Sequence, residues 1–150
     1  MQGFGLLLGH LVGDYIVQND WMAKWKTAED GTATPEEHER ITNAYGDHRK
    51  AILQDSWAQS RPTYACTVHC LLYTLSVWAF SFWWMPWWGL LVCFAVHWPV
   101  DRFRLARKWM ENVSGQKDFA NGMFSPWSII IVDNVFHLLT LWTIAVLAAL

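Results

Sequence analysis

Charge is scarce in this sequence. Charged residues fill 16% of its 150 positions, where a soluble domain carries about a quarter. The 11 Lys+Arg and 13 Asp+Glu leave a net charge of −2, so there is no basic excess of the kind that accompanies nucleic-acid binding. No Lys or Arg occurs in 1–23, 62–101 or 118–150. The N-terminus therefore lacks the basic region of a secretory signal, and His10 and Asp14 interrupt its apolar run, so it reads as a retained helix. Cysteine is limited to Cys66, Cys70 and Cys93, an odd number placed in apolar stretches. That excludes a disulfide framework and leaves them as small packing residues. There is neither an internal repeat nor a low-complexity segment.

What is present in excess is apolar surface: 53% hydrophobic residues, with 12 Trp. The length suits one small domain. The basic-free stretches contain apolar runs at about 3–19, 64–84, 86–105 and 127–149. At ~1.5 Å per residue the last three match a ~30 Å hydrocarbon layer. All eleven basic residues lie in 24–61 or 102–117, and positive charge collects on the cytoplasmic side. The expectation is an all-α, integral-membrane four-helix bundle forming one domain over 1–150. Both termini are non-cytoplasmic, and 20–62 and 106–126 are cytoplasmic loops. The uncharged hairpin Trp83-Trp84-Met85-Pro86-Trp87-Trp88 suits an outer turn. In the first loop, Thr34-Pro35-Glu36-Glu37 has capping-box spacing ahead of a helix over 35–58, with 27–34 as its linker.

The polar residues inside the apolar runs carry the chemistry. His10 and Asp14, His69 and Tyr73, His97 and Asp101, and Asp133 and His137 are each spaced i, i+4, which stacks both members on one helix face. Ionisable groups in a bilayer face a bundle interior or a wet cavity. Counted from the cytoplasmic ends, most of these lie roughly 5–15 Å deep, at 1.5 Å per residue. His10, Asp14, His69, His97, Asp101, Asp133 and His137 thus form one candidate layer of metal ligands. Imidazole with carboxylate suits a divalent transition metal, zinc foremost, as one or two ions. His69 and Asp14 are the candidates for proton transfer. The competing reading is a hydrogen-bonded core without metal.

Other features have structural readings. Gly5, Gly9 and Gly13 form a small-residue stripe for close helix approach. Pro99 bends the third helix. Arg102, Arg104, Arg107 and Lys108 snorkel to headgroups or hold an anionic substrate. Gln18, Asn19 and Asp20 form a helix end or a site rim. His38 and His48 lie on a solvated helix and have no assigned role.

The segments Gly9-His10-Leu11-Val12-Gly13-Asp14-Tyr15-Ile16-Val17-Gln18 with Trp21-Met22-Ala23-Lys24, His69-Cys70-Leu71-Leu72-Tyr73-Thr74, His97-Trp98-Pro99-Val100-Asp101 and Asp133-Asn134-Val135-Phe136-His137-Leu138-Leu139 resemble the bacterial and phage membrane family called domain of unknown function 3307. The blocks run in the family's order over all four apolar runs. The connection at about 27–60 is longer than is usual there, and Asn134 stands where the family commonly has Gln. The resemblance implies a multi-pass protein of the bacterial inner (cytoplasmic) membrane and, by analogy with other small membrane proteins described as metal-dependent hydrolases, a metal site.

Three functions follow as expectations. The first is a membrane metal-dependent hydrolase acting on an ester or phosphoester, with membrane lipid as its partner. The second is a divalent-metal transporter or sensor, which needs a homodimer because four helices are few for alternating access. The third is a non-catalytic membrane interaction protein. None involves nucleic acid.

Overall fold

A computed structural model describes residues 2–28 and 56–150, together with positions 37, 39 and 43. Positions 29–34 of the linker, the capping box apart from position 37, and most of the helix expected over 35–58 lie outside the described residues. The described chain is helical, without strands among those residues. Helix α1 (Gln2–Leu11) runs into a π-helical turn (Val12–Val17). Short α2 (Asp20–Trp25) starts at Asn19, whose side chain accepts from the Met22 backbone N–H at 2.9 Å. Long α3 (Ser56–Ala79) and α4 (Trp87–Arg102) follow, then short α5 (Leu105–Asn112) and α6 (Lys117–Asn121), and α7 (Trp127–Ala148).

The four-span bundle is not what forms. Among the described residues one helix, α7, is long and apolar enough to cross a membrane. The other apolar runs do not become apolar helices of spanning length. Helix α1 has 10 residues before its helical geometry changes. Helix α4 has 16 residues and ends at Arg102, a rise of about 24 Å at 1.5 Å per residue. Helix α3 is long enough at 24 residues, but it includes Arg61, Gln59 and a succession of Ser, Thr and His side chains. Arg61 is buried, 2.9 Å from Glu37 and stacked 4.0 Å over the Trp25 ring. Multi-pass topology, and with it the two outward termini, loses its basis; one candidate membrane helix remains. The segment 106–126, expected as a loop, contains α5 and α6.

The glycine stripe sets the closest helix contact. A Cβ at Gly5 would lie 2.4 Å from the Phe80 carbonyl oxygen. One at Gly9 would lie 2.7 Å from the Val77 Cα, and one at Gly13 would lie 3.1 Å from the Tyr73 Cα. Hydrogen in place of a methyl lets α1 lie directly on the α3 backbone. Along α3 the hydroxyls of Thr67, Thr74 and Ser76 donate to carbonyls four residues back at 2.8–2.9 Å, which satisfies them within the helix.

At one end of this packing lies an apolar core of Leu6, Tyr73, Val77, Met85, Cys93, Leu141 and Ile144. The histidines and aspartates lie at the other end. Helix α4 runs through Pro99 to Arg102, and Arg104 then adopts left-handed φ 52° and ψ 47°, which turns the chain into α5. Ala106 and Met110, one helical turn apart, face inward.

Candidate metal centre

Four atoms from three helical elements converge. Asp14 comes from the π-helical turn, His69 from α3, and His97 and Asp101 from α4. His69 Nε2 is 3.2 Å from His97 Nε2, 3.3 Å from Asp14 Oδ1 and 3.2 Å from Asp101 Oδ2. His97 Nε2 is 3.8 Å from Asp14 Oδ1 and 3.3 Å from Asp101 Oδ2. Donors about 2.0–2.1 Å from a tetrahedral zinc are roughly 3.3–3.4 Å from one another. Four of these five separations lie within 0.2 Å of that range, and the longest involves Asp14.

Asp101 divides its carboxylate. While Oδ2 faces His69 and His97, Oδ1 is 3.2 Å from His137 Nε2, which is itself 3.2 Å from Asp133 Oδ2. Asp101, Asp133 and His137 thus form a second group able to hold a metal. The rings of His97 and His137 stack at 3.8 Å with 16° between their planes, so the two donor groups share a wall. A carboxylate bridging two such groups is the arrangement of two-metal sites, whose ions lie about 3.5–4 Å apart.

The donor chemistry fits a cation. His69, His97 and Asp101 are buried, and Asp14 Oδ1 has no hydrogen-bond partner among the described residues. The two imidazoles turn Nε2 towards each other. Their Nδ1 atoms are also without hydrogen-bond partners among the described residues. A core organised for hydrogen bonding would use both edges of these rings.

One cation is already part of the cluster. Lys26 Nζ donates to Asp101 Oδ2 at 2.7 Å and lies 3.2 Å from His69 Nε2. Burial pulls the Lys26 pKa down, but the carboxylates of Asp101 and Asp14 outweigh it and hold the ammonium above the ordinary lysine value. Its charge balances the buried Asp101. The sequence does not single out Lys26, which reads there as one of six basic residues of a loop. The turn capped by Asn19 is what brings it back to the cluster. Cys70 also comes near, with its sulfur in a group with His97 and Asp101.

His10 stands apart from the donor groups. Its Nε2 donates to Asn134 Oδ1 at 2.7 Å, and its Nδ1 accepts from the Tyr73 hydroxyl at 3.1 Å. That Nδ1 also lies 3.3 Å from Asp14 Oδ2, so the His10 ring stands beside Asp14. Asn134 in turn donates to the Tyr15 hydroxyl at 2.6 Å. Among the seven residues expected as one layer, six therefore make up the two donor groups and His10 lies behind them. Gln18 lines the neighbouring cavity, whereas Asn19 serves as the α2 cap.

That cavity, about 610 Å³, opens beside the cluster. Asp14, Lys26, Asp101 and Asp133 form its polar wall, and Arg104 and Arg107 stand at its rim. Trp127, Ile129 and Ile130, at the start of α7, form its apolar wall.

Comparison with known protein families, curated proteins and solved structures finds no match, so the resemblance drawn from the sequence rests on its residues alone.

Proposed function

We propose that this protein is a metal-dependent hydrolase of an ester or phosphoester bond in a membrane lipid, with zinc as its preferred ion. The observation that carries the reading is the division of Asp101 between two donor groups on the wall of a cavity with a polar and an apolar side. Buried His and Asp groups of this kind can hold a metal. His69, His97 and Asp101 would hold one ion in place of the Lys26 ammonium, and Asp101, Asp133 and His137 would hold a second. A bound ion supplies Lewis acidity and lowers the pKa of a coordinated water towards about 7.

The remaining work falls to this chain's own side chains. Asp14 sits at the widest corner of the cluster and on the cavity wall, beside His10. It takes the proton of the attacking water. Lys26 and Arg104 place positive charge on the same cavity, where an anionic oxygen develops. Trp127, Ile129 and Ile130 receive the apolar part of the substrate. Helix α7 brings the cavity to a membrane surface, since these residues open its span, and Trp is favoured at that level.

Two observations favour hydrolysis over transport. The cluster is backed by the apolar core of Leu6, Val77, Met85, Leu141 and Ile144, with no second row of ligands beyond it among the described residues. A cavity of this size also suits an organic ligand.

The test is release of product from short-chain phospholipids by detergent-purified protein. Zinc-dependent turnover is expected. Chelation should abolish it, and Asp14→Asn should lower kcat by ~10²-fold or more, the contribution of a positioned base. Turnover that survives chelation, or an Asp14→Asn variant with unchanged kcat, contradicts the assignment.

A further inference from the structure

A second cavity of about 420 Å³ shares Arg104 and Arg107 with the first. Arg102, Arg104, Arg107 and Lys108 line it, with Glu111 as the one carboxylate. Glu111 is engaged by Arg107 at 2.9 Å. Arg102 donates to the Ala28 carbonyl at 2.9 Å, and Arg104 Nε donates to the Thr27 carbonyl at 2.8 Å. For Arg104, a neutral carbonyl fixes the guanidinium without cancelling its charge, so this part of the wall stays positive and oriented.

Arg104 reaches this position from a left-handed backbone, φ 52°. That conformation costs a residue with a Cβ about 1–2 kcal/mol, and such strain gathers at ligand sites. Thr27, Arg104 and Arg107 line both cavities, so the two share a wall.

Location narrows the ligand. Helices α5 and α6 pack at the start of α7, where Ser128 Oγ donates to the Phe119 carbonyl at 2.5 Å. Phe103, Trp109, Phe124 and Trp127 project from this end as exposed aromatics. Aromatic rings and cations side by side at the end of a spanning helix meet lipid headgroups. Guanidinium forks pair with phosphate oxygens two at a time.

We infer that this second cavity binds the phosphodiester of a membrane phospholipid, and that the Arg104–Arg107 wall uses it as an anchor to present the lipid's ester linkage to the donor cluster. The anchoring role rests on the hydrolase reading above; the phosphate site does not.

The experiment measures binding of three probes to detergent-purified protein: dihexanoyl phosphatidylglycerol, dihexanoylglycerol and inorganic phosphate. Each is titrated against wild type, Arg104→Gly, and Arg104→Gly combined with Lys108→Gln. Glycine accepts the left-handed backbone, and thermal unfolding of each variant checks that it is folded.

The phosphatidylglycerol is expected to bind, and the double variant to weaken it at least tenfold, the loss of about one charge-assisted hydrogen bond. Dihexanoylglycerol is expected to bind far more weakly. Equal affinity for the phosphate-free lipid, or no change in the double variant, overturns the site. Inorganic phosphate binding as tightly as the lipid overturns the assignment to a membrane lipid. Metal content is read on the same samples. Metal with no phosphatidylglycerol binding defeats this inference alone, whereas lipid binding without metal defeats the anchoring role together with the hydrolase reading.

Discussion

Asp101→Asn is expected to remove bound metal and to destabilise the metal-free protein at once. The substitution keeps the side chain's size but takes away a carboxylate that faces His69, His97, His137 and Lys26 at 2.7–3.3 Å. Both donor groups lose a shared ligand. Altering a residue that merely orients a ligand costs 10–100-fold in metal affinity, so losing the bridging ligand should cost about 100-fold or more. Without metal, Lys26 loses its nearest counter-charge in a site where its side chain is 14% exposed. Breaking a buried pair on one side costs about 3–5 kcal/mol. Zinc titration and thermal unfolding in the same detergent measure the two effects. Retained zinc affinity with reduced stability would make Asp101 a structural counter-ion to Lys26 and nothing more.

Gly9→Ala is expected to reach the site without touching it. The added methyl would sit 2.7 Å from the Val77 Cα, 3.1 Å from the Ser76 carbonyl oxygen and 3.2 Å from the Val77 nitrogen. All three are backbone atoms of α3, and none can rotate away. Helix α1 must therefore lift from α3, at a cost of about 3 kcal/mol, the upper part of the usual overpacking range. Asp14 is carried on the turn that continues α1, so the metal-binding corner it occupies moves with the helix. Gly3→Ala is the matched control, because nothing lies within 4 Å of its added Cβ, and it should change neither stability nor metal affinity. If Gly9→Ala unfolds at the wild-type temperature, α1 and α3 do not pack as described.

The site was more legible in the sequence than the fold. An i, i+4 pair needs only helical geometry to stack, so His97 with Asp101 and Asp133 with His137 could be placed on single faces from spacing alone. The glycines at positions 5, 9 and 13 likewise pointed to a close helix contact, and α3 is the helix that makes it. What spacing could not give was the third dimension. His10 carries the same pattern as His97, yet Tyr73 and Asn134 occupy its two nitrogens. Lys26 joined the cluster through a turn far shorter than the loop to which its charge seemed to assign it.

Apolar runs overstated the number of spans because a run of apolar letters is not a helix of that length. The run at 86–105 crosses the end of α4 and the left-handed turn at Arg104. The run at 64–84 extends past Ala79, where α3 stops, and α3 itself begins in a polar segment with Arg61 buried against Trp25. Helix α5 was hidden by the basic cluster at 102–108, of which it contains Arg107 and Lys108. Its signal was the pair Ala106 and Met110, one turn apart, which packs inward while the charged face stays out.

The most direct test of the account is the metal content of protein purified in mild detergent, for wild type beside His69→Ala and His137→Ala. The bridging role of Asp101 predicts two equivalents of a divalent transition metal in wild type. One should be lost with each histidine, since His69 belongs to one donor group and His137 to the other. A folded wild type that carries no metal and takes up none on titration would contradict the account, leaving the cluster a hydrogen-bonded core around Lys26 and Asp101.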